Sequence, residues 1–457
     1  MQGYASRESV LRILLDQERT GAFLKDLFPI HAGSLSAQDR ALTRQIALGV
    51  VRNRSLLDYN IDKHTPKKVG KLELRTILRL TAYQLFFLDV PAFAAIHVGV
   101  ELAKRRVGPR QGGFANAVLK RMAAGGIERS PGDTLAALAV NFSHPLWLLK
   151  RWHRRLGRAG LMRALERNNQ EAPAWIRVNP FRAEVEALRC ELSDLGAEGH
   201  PDDHAPLFLR LDGGIDKALH SEAFARGAFA FQDPAAWLIA ELADWRPGDS
   251  LLDLCSAPGG KAACLVERAR YLGEAEPAGP LVCNDISHRR LRRIRDARER
   301  LGHRSLWPVV MDPARPAFRS GRPRPPGGFD VLVVDAPCSN LGVVGRRPEA
   351  RWAHSPPDLV RLAGLQKSLL ASAARLAGPV GRIIYATCSP EEEETSGVIR
   401  AFLEEHPGWG VEDASSRLPA WAVKEGFLWL HPGESEYDGF FGARLIRTGM
   451  TRKGLAA

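Results

Sequence analysis

The chain has 457 residues, of which 45% are apolar and 25% are charged, so it can bury a large core and should divide into two or three domains. Its formal net charge is +12, and the charge is unevenly distributed. Residues 1–150 contain 22 Lys and Arg against 12 Asp and Glu, a surplus of +10, which leaves +2 for the remaining residues. This concentration favours a polyanionic partner, nucleic acid ahead of an anionic membrane, over a merely solvated helical face.

The N-terminus lacks a basic stretch followed by an apolar run, and no run of about 18 apolar residues occurs anywhere in the sequence. We therefore predict a cytoplasmic protein that is neither secreted nor membrane-spanning. The cysteines form no CxxC pair and have no nearby His, so we predict reduced thiols and no metal site. They are Cys190, Cys255, Cys264, Cys283, Cys338 and Cys388.

Three patterns succeed one another in chain order. Residues 1–140 have apolar residues at helical spacing, which predicts an all-α domain, and LRTILRLTAYQLFFLDV within it predicts a buried central helix. Residues 141–228 contain short β-rich pieces such as AWIRVNP, which predict a small mixed α/β connecting segment. Residues 229–448 alternate apolar strands with helices, which predicts a doubly wound, mostly parallel, Rossmann-like sheet.

Polar groups follow the strands of that predicted sheet. LLDLCS runs into APGGK and a helix, so backbone amides at Gly259 and Gly260 can approach a ligand closely. The next strand ends in Asp285, where an acidic residue typically accepts hydrogen bonds from ribose hydroxyls. Asp312 follows a third strand and can contact an adenine amino group, although an isolated Asp is more often a turn residue. Together these positions indicate a cofactor that carries a nucleoside.

Two thiols and a carboxylate are expected at the same edge. VLVVDAPCS delivers Asp335 and Cys338 to the end of one strand, and IIYATCS delivers Cys388 to the end of another. A cysteine in such a chain is usually a small buried apolar residue, and we assign that role to Cys190, Cys264 and Cys283. At strand ends beside Pro and Ser, a chemical role is favoured instead.

Two thiols, a carboxylate and a nucleoside cofactor suit methylation of cytosine at carbon 5. That carbon is too weak a nucleophile until a thiolate adds to carbon 6. Asp335 can offset charge on the base, and the second thiol can remove the carbon 5 proton. The spacing alone leaves open which thiol attacks.

The target base must be single-stranded or flipped out of its stack. We predict that basic residues in GRRPEARW hold the phosphates; the less favoured alternative for each is a solvated loop. These residues are Arg346, Arg347 and Arg351.

Four motifs resemble those of the RNA cytosine-5-methyltransferase family, in the family's order and over almost the whole chain. They are DLCSAPGGK at 253–261, DAPCSNLGVVGRRPEARW at 335–352, TCS at 387–389 and DGFFGARL at 438–445. The resemblance implies that Cys388 of the TCS motif is the nucleophile and that Cys338 of the PCS motif assists release. It also implies S-adenosylmethionine as the methyl donor.

The same resemblance implies a set of cofactor contacts. Asp285 would hold the ribose, Asp312 would lie near the adenine and Asp335 near the methyl donor. Arg290, in DISHRRL, matches a basic position that often accompanies the cofactor. The loop implied to run along the cofactor consists of Cys255, Ser256, Ala257, Pro258, Gly259, Gly260 and Lys261.

The first 140 residues resemble the helical RNA-binding domain of the NusB antitermination factor, through DRALTRQIALGVVRN and GGFANAVLKR. With this N-terminal domain, the resemblance implies small-subunit (16S) ribosomal RNA as the substrate. We expect a monomer without a metal or a membrane partner. Rival functions are methylation of transfer RNA or another RNA, and a non-catalytic RNA-binding protein on a methyltransferase scaffold, against which the intact Cys338, Asp335 and Cys388 argue.

Three positions depart from the family pattern. Ala262 stands where Thr is usual, Asn340 where Gly is usual, and the acidic run PEEEET follows TCS where Asn is common. None of the departures removes a reactive group. Because Asn tolerates left-handed backbone better than most residues, we predict that the turn at Asn340 survives. Loss of the Thr hydroxyl should weaken contacts of the first helix slightly.

Overall fold

The computed structural model describes residues 3–274, 281–316, 318, 325 and 327–449. Its contacts divide the chain into two compact units. The first, the helical unit, comprises Met1–Glu171 and Val343–His354. The second, the sheet unit, comprises Ala172–Gly342 and Ser355–Ala457. The boundaries at 140 and 228 stay predictions.

The helical unit is built from helices, as its sequence pattern predicts. The central helix α5 is buried along most of its length, as predicted from its apolar circumference. Two arginines are nevertheless buried within it, and Arg79 pairs with Asp58 at 2.7 Å. The helices are α1 (Tyr4–Thr20), α2 (Leu24–Ala32), α3 (Ala37–Arg52), α4 (Arg54–Lys63), α5 (Leu72–Phe87), α6 (Ala92–Arg106), α7 (Pro109–Gly125), α8 (Leu135–Asn141) and α9 (Leu146–Asn169).

The sheet unit begins with a small antiparallel sheet in the order β2-β3-β1-β4. Helices pack against it around a core that includes Ile176 and Phe229. The elements are β1 (Ala174–Val178), α10 (Val185–Asp194), β2 (Glu198–Pro201), β3 (Phe208–Asp212), α11 (Ile215–Leu219), α12 (Glu222–Ala225) and β4 (Phe229–Phe231).

A larger mixed sheet follows, in the order β11-β12-β13-β9-β8-β5-β6-β7, with β10 pairing to β13. The strands from β9 to β7 in that order pair in parallel, whereas β13 joins β9 antiparallel. This confirms the predicted Rossmann-like parallel arrangement for β9, β8, β5, β6 and β7, but the sheet as a whole is mixed, because its other four pairings are antiparallel. The elements are α13 (Ala235–Ala243), β5 (Leu251–Asp253), α14 (Gly260–Tyr271), β6 (Leu281–Asp285), α15 (His288–Leu301), β7 (Leu306–Val310), β8 (Phe329–Asp335), α16 (Ala350–Ala353, in the helical unit), α17 (Pro356–Leu376), β9 (Ala377–Thr387), α18 (Ser396–Glu405), β10 (Trp409–Glu412), β11 (Val423–Lys424), β12 (Phe427–Leu430) and β13 (Phe440–Arg447).

The parallel strands of this sheet read as nearly continuous apolar runs because helices cover both faces. Val331 and Val333 face one core, while Leu332 and Val334 face the other. Their polar continuations therefore gather at the carboxyl edge of the sheet. Across the described ranges, no helix is both long and apolar enough to cross a bilayer.

Candidate active site

The loop after β5 turns sharply into α14. Gly259 caps the helix in a left-handed conformation (φ 93°), and a Cβ atom there would lie 3.3 Å from the side chain of Ile294. This explains why the first of the two glycines in the APGGK motif is a glycine. The backbone amides of the first helical turn point to the carboxyl edge, where an anionic or polar ligand can accept from them.

Strands β8 and β9 bring the two predicted thiols together. Asp335 pairs in register with Ala386, so the residues that follow each strand emerge side by side. The sulfur of Cys338 lies 3.2 Å from the sulfur of Cys388. Both side chains are partly exposed. The predicted convergence of two thiols on one cleft is therefore present in the structure.

Asn340 shapes the turn beneath the thiols. It has φ 60°, which confirms that the turn survives replacement of the usual Gly. Its side-chain nitrogen donates to the carbonyl of Cys338 at 2.9 Å, and its side-chain oxygen accepts from the thiol of Cys388 at 3.3 Å. The departure from the family pattern thus adds a polar contact to each cysteine.

Glu394 ties the two strand ends together, and the sequence did not single it out. Its carboxylate accepts from the backbone N–H of Ser339 at 2.9 Å and from the hydroxyl of Ser389 at 2.6 Å. Gln366 donates to the same carboxylate at 3.1 Å. Burial raises the pKa of Glu394 above its ordinary value, and the hydrogen bonds from these donors limit that rise. The serines that follow each cysteine are therefore anchored to one buried acid.

The DGFFGARL motif closes over the same loop through a close backbone approach. The backbone N–H of Gly439 donates to the carbonyl of Gly342 at 2.9 Å, and the N–H of Gly342 donates to the carbonyl of Cys388 at 3.0 Å. A Cβ on Gly342 would lie 2.3 Å from the carbonyl oxygen of Gly439. A side chain at either position would separate the strands that carry the thiols.

Lys261 and Asp335 form an ion pair at this edge, with Nζ 2.6 Å from Oδ2. Lys261 also lies over the ring of Phe440, 4.9 Å from its centroid. Burial alone would lower the pKa of Lys261, but the Asp335 carboxylate raises it above its ordinary value. Lys261 thus carries a positive charge in the cleft, close to Cys388 as well as to Asp335.

Asp253, the last residue of β5, was not among the predicted site residues. Its side chain is buried, and it forms no ion pair within the described part of the chain. Burial, with a smaller contribution from Asp335, raises its pKa to about 7, while hydrogen bonds from the Ser256 hydroxyl and the Cys255 backbone N–H lower it. A buried carboxylate without a counter-charge at the carboxyl edge can accept further hydrogen bonds from a ligand.

The residues predicted to hold a nucleoside differ in their surroundings. Asp285 is buried, accepts from the backbone N–H of Ser287 at 2.9 Å and lies 3.4 Å from the guanidinium of Arg290. Arg290 also donates to the carbonyl of Ala257 at 3.2 Å, so it links β6 to the loop after β5. Asp312 is exposed and accepts only from the backbone N–H of Ala314, at 2.9 Å, among the described residues.

The three arginines predicted to bind RNA belong to the helical unit. Arg351 is fully buried, and its guanidinium donates to the carbonyls of Ser143 and Asn168 at 3.0 Å and to the side chain of Asn169 at 2.8 Å. This burial contradicts the prediction that Arg351 holds phosphates. Arg346 and Arg347 are half-buried, and their contact with RNA stays a prediction.

The remaining cysteines are mostly structural. Cys264 and Cys283 are fully buried, as expected for small apolar residues, but Cys190 is exposed, so that assignment was wrong for it. Helix α10 turns Cys190 to solvent because Leu188 and Leu192 occupy its buried face. Within the described residues, no group of three or more His, Cys, Asp or Glu is placed to hold a metal ion.

A parallel sheet with a glycine-rich loop after β5 and an acid at the end of β6 is typical of a Rossmann-like domain that binds a nucleoside-bearing cofactor. Comparisons with known proteins specify it. Residues 240–446 match the family model described as 16S rRNA methyltransferase RsmB/F, residues 4–124 match the NusB family, and residues 144–217 match the ferredoxin-like domain of RsmF/B-like methyltransferases.

Relatives match along nearly the whole chain. The probable ribosomal RNA small subunit methyltransferase B of Bacillus subtilis is 30% identical over 95% of this chain and 96% of its own length. The ribosomal RNA small subunit methyltransferase B of Salmonella typhi is 31% identical over 93% and 95%. The chain therefore belongs to the RsmB/F family of ribosomal RNA methyltransferases, whose methyl donor is S-adenosylmethionine.

Solved structures agree with this fold. The crystal structure of PH0851 superposes with a TM-score of 0.79 at 25% identity, covering 98% of this chain and 99% of that one. The structure of NSun6 from Pyrococcus horikoshii superposes with a TM-score of 0.57 at 17% identity, covering 67% and 99%.

The residues at the carboxyl edge fit S-adenosylmethionine. That molecule carries an amino group, ribose hydroxyls and an adenine amine, all of which are hydrogen-bond donors. The buried carboxylates of Asp253 and Asp285 are acceptors that such donors can reach. The loop 255–261 lies between these two acids along the chain.

Proposed function

We propose that this chain methylates carbon 5 of a cytosine in small-subunit (16S) ribosomal RNA through a covalent adduct with Cys388. The observation that carries the proposal is the 3.2 Å separation of the Cys338 and Cys388 sulfurs at neighbouring strand ends. Methyl transfer to an oxygen or a nitrogen needs neither thiol, because those atoms are nucleophiles already. Two adjacent thiols suit the one case in which the accepting carbon must be activated and then released.

The chemistry divides between the two cysteines. The thiolate of Cys388 attacks carbon 6, forming a carbon–sulfur bond and moving the ring electrons to carbon 5. S-adenosylmethionine, when bound, supplies the methyl group that carbon 5 takes. Cys338 then accepts the proton from carbon 5, and the electrons of that bond restore the ring and expel the thiolate of Cys388.

The electrostatics support this order. A hydrogen bond with Cys388, together with burial, raises the pKa of Cys338 well above its ordinary value. Cys338 therefore keeps its proton while Cys388 attacks. Once Cys388 is bonded to carbon 6, it no longer raises the pKa of Cys338. The partly exposed Cys338 thiol then loses its proton to solvent, and the resulting thiolate takes the proton from carbon 5.

Lys261 and Asp335 complete the proposed site. The ammonium of Lys261 holds Asp335 in place, with Nζ 2.6 Å from Oδ2. The carboxylate of Asp335 accepts a hydrogen bond from the cytosine amino group and so orients the base for attack by Cys388. Asp253, Asp285 and the loop 255–261 are proposed to hold the cofactor, with Asp312 at the adenine.

Transfer of labelled methyl to small-subunit ribosomal RNA, followed on denaturing gels, tests the proposal. We expect Cys388→Ala to abolish both methylation and adduct formation. Cys338→Ala should form the adduct and fail to resolve it, giving a protein band shifted by RNA. Cys190→Ala is the matched control, because Cys190 is exposed on α10, and it should behave as the wild type.

Other outcomes would revise the proposal in defined ways. Equal, adduct-free inactivity of Cys388→Ala and Cys338→Ala would end the division of labour. Label in transfer RNA but not in small-subunit RNA would change the substrate and keep the chemistry. Cofactor binding without label in any RNA would favour a non-catalytic scaffold.

A further inference from the structure

Helix α15 has an unusual charge distribution. Its first eight residues, HRRLRRIR, contain five arginines and no acid, and the first carboxylate is Asp296. A helix N-terminus favours negative charge, because the unpaired N–H groups there carry partial positive charge. Helix α17, by comparison, has Asp358 in its first turn as a capping acid. The arginines of α15 therefore work against the stability of their own helix.

The arginines are not needed for packing. Leu291 and Ile294 are buried and fix the helix to the sheet unit, and Gly259 packs against Ile294. Arg289, Arg292 and Arg295 are exposed, and their side chains make no hydrogen bond or ion pair within the described ranges.

Other arginines of the helix do have structural partners. Arg290 contacts the cofactor loop, Arg298 donates to the carbonyl of Arg304, and Arg300 donates to the carbonyl of Phe229. Arg289, Arg292 and Arg295 are thus distinct from the arginines that hold the helix in place.

The position of the exposed arginines points to the substrate. Helix α15 begins three residues after Asp285, at the same carboxyl edge that carries Cys388. Arg289 to Arg295 span about 9 Å along the helix, at 1.5 Å per residue. That length matches two to three nucleotides at about 3.4 Å each. Arginine is the side chain best suited to pair with phosphate oxygens.

We propose that the exposed face of α15, formed by Arg289, Arg292 and Arg295, binds the phosphate backbone of the RNA that enters the active site. This inference rests on the proposed function for the identity of the RNA. It places the phosphate contacts in the sheet unit, whereas Arg351 is buried in the helical unit.

The test is the salt dependence of RNA binding by the full chain, measured by fluorescence anisotropy with a small-subunit ribosomal RNA fragment. The probe variant is Arg289→Gln, Arg292→Gln and Arg295→Gln combined. Log affinity falls as log salt rises, and each lost phosphate contact makes that slope shallower by about 0.7 to 0.9. We expect the slope to fall by about 2 and the affinity at about 0.1 M salt to fall by roughly 10- to 100-fold.

A matched control removes the same charge elsewhere in the sheet unit. Arg361 and Arg400 are exposed and Arg189 is half-buried, and each pairs with an acid on its own or an adjoining turn. Replacing all three by Gln changes the net charge equally and should leave the slope within about 0.5 of the wild type. Equal weakening by both triple variants, or an unchanged slope in the α15 variant, would overturn the proposal.

Two further measurements identify the occupant. Affinity for S-adenosylhomocysteine, by calorimetry, should be unchanged in the α15 variant, and its loss would assign the face to the cofactor. Binding of vesicles of anionic phospholipid that depends on these arginines would instead assign it to a membrane and overturn the proposal. RNA binding requires no methyl transfer, so the two proposals can fail separately. If the wild type methylates RNA but the α15 variant keeps the wild-type salt slope, only this inference is refuted. If the wild type does not methylate RNA but the α15 variant has a reduced salt slope, only the proposed function is refuted.

Discussion

Two buried acids of the sheet unit have opposite surroundings. Glu267, on α14, faces the guanidinium of Arg177 and accepts from His303 at 2.7 Å. Burial raises the pKa of Glu267, but Arg177 and His303 lower it below the ordinary value. Asp253, at the end of β5, is equally buried but forms no ion pair among the described residues, and burial raises its pKa to about 7. The ion-paired acid stabilises the fold, whereas the acid without a counter-charge lies at the carboxyl edge, where a ligand can bind.

The largest expected effect is on the ion-paired acid. Glu267→Gln leaves the guanidinium of Arg177 buried without its counter-charge, which should lower the free energy of unfolding by about 3–5 kcal/mol. Denaturant unfolding followed by circular dichroism measures it. The control is Glu392→Gln, whose exposed pair with Arg400 should contribute no more than about 1 kcal/mol. Equal effects would show that the buried network carries no special stability.

At the active-site edge, the expected effect is on rate. Asp335→Asn should reduce methyl transfer by about 10²–10³-fold, because a preorganised charge is lost from the proposed site. Asp330→Asn is the control, since Asp330 lies at the opposite end of β8 and accepts from Ser250. Its turnover should stay within about 3-fold of the wild type. A wild-type rate for Asp335→Asn would remove Asp335 from the catalytic set.

Asp253 predicts a pH dependence that the ion-paired acid does not share. Its folded pKa is raised from 3.8 to about 7, so the folded state binds the proton more tightly than the unfolded state. Stability from this group is fully present below about pH 4 and is lost as pH rises to about 7. Asp253→Asn should remove that loss, adding roughly 2–4 kcal/mol at pH 8 and little at pH 4. Ligand-free unfolding at both values measures it, and equal changes at the two would contradict the assignment.

Arg351 gives the smallest effect and sharpens the distinction between binding and structure. Arg351→Met should lower the free energy of unfolding by about 1–3 kcal/mol, because carbonyls that it satisfies become buried without donors. The salt slope of RNA binding should not change in the folded variant. A slope lowered by about 1 would restore Arg351 to the RNA contacts.

Particular residues show what the sequence can and cannot predict. Asp335, Cys338 and Cys388 follow apolar strands, so the register of a parallel sheet is enough to bring them together. Asp253 also ends a strand, but its importance depends on being buried without an ion-pair partner. Only the packed structure shows that burial. The order of the strands and the antiparallel edge formed by β13 likewise depend on long-range pairing.

A charge pattern in the sequence does not reveal whether a charged side chain points into the core or to solvent, as Glu394 and Arg351 show. Glu394 lies in the acidic run PEEEET, which resembles an exposed loop, but the turn Glu392–Glu394 folds one carboxylate beneath the serines of both cysteine motifs. Arg351 lies in a basic motif beside the active-site sequence, yet its side chain is directed into the helical unit. In both cases the burial of the side chain, which the sequence does not show, determines its role.

The most direct test of the covalent mechanism uses small-subunit ribosomal RNA that contains 5-fluorocytosine, incubated with the wild-type chain and S-adenosylmethionine. Because fluorine cannot leave carbon 5 as a proton does, the adduct should accumulate without any mutation. Tryptic digestion separates Cys338 from Cys388, since Arg346 and Arg382 lie between them. Mass spectrometry should find the nucleotide on the peptide that contains Cys388. A nucleotide on Cys338, or no covalent species despite methylation of unmodified RNA, would contradict the account.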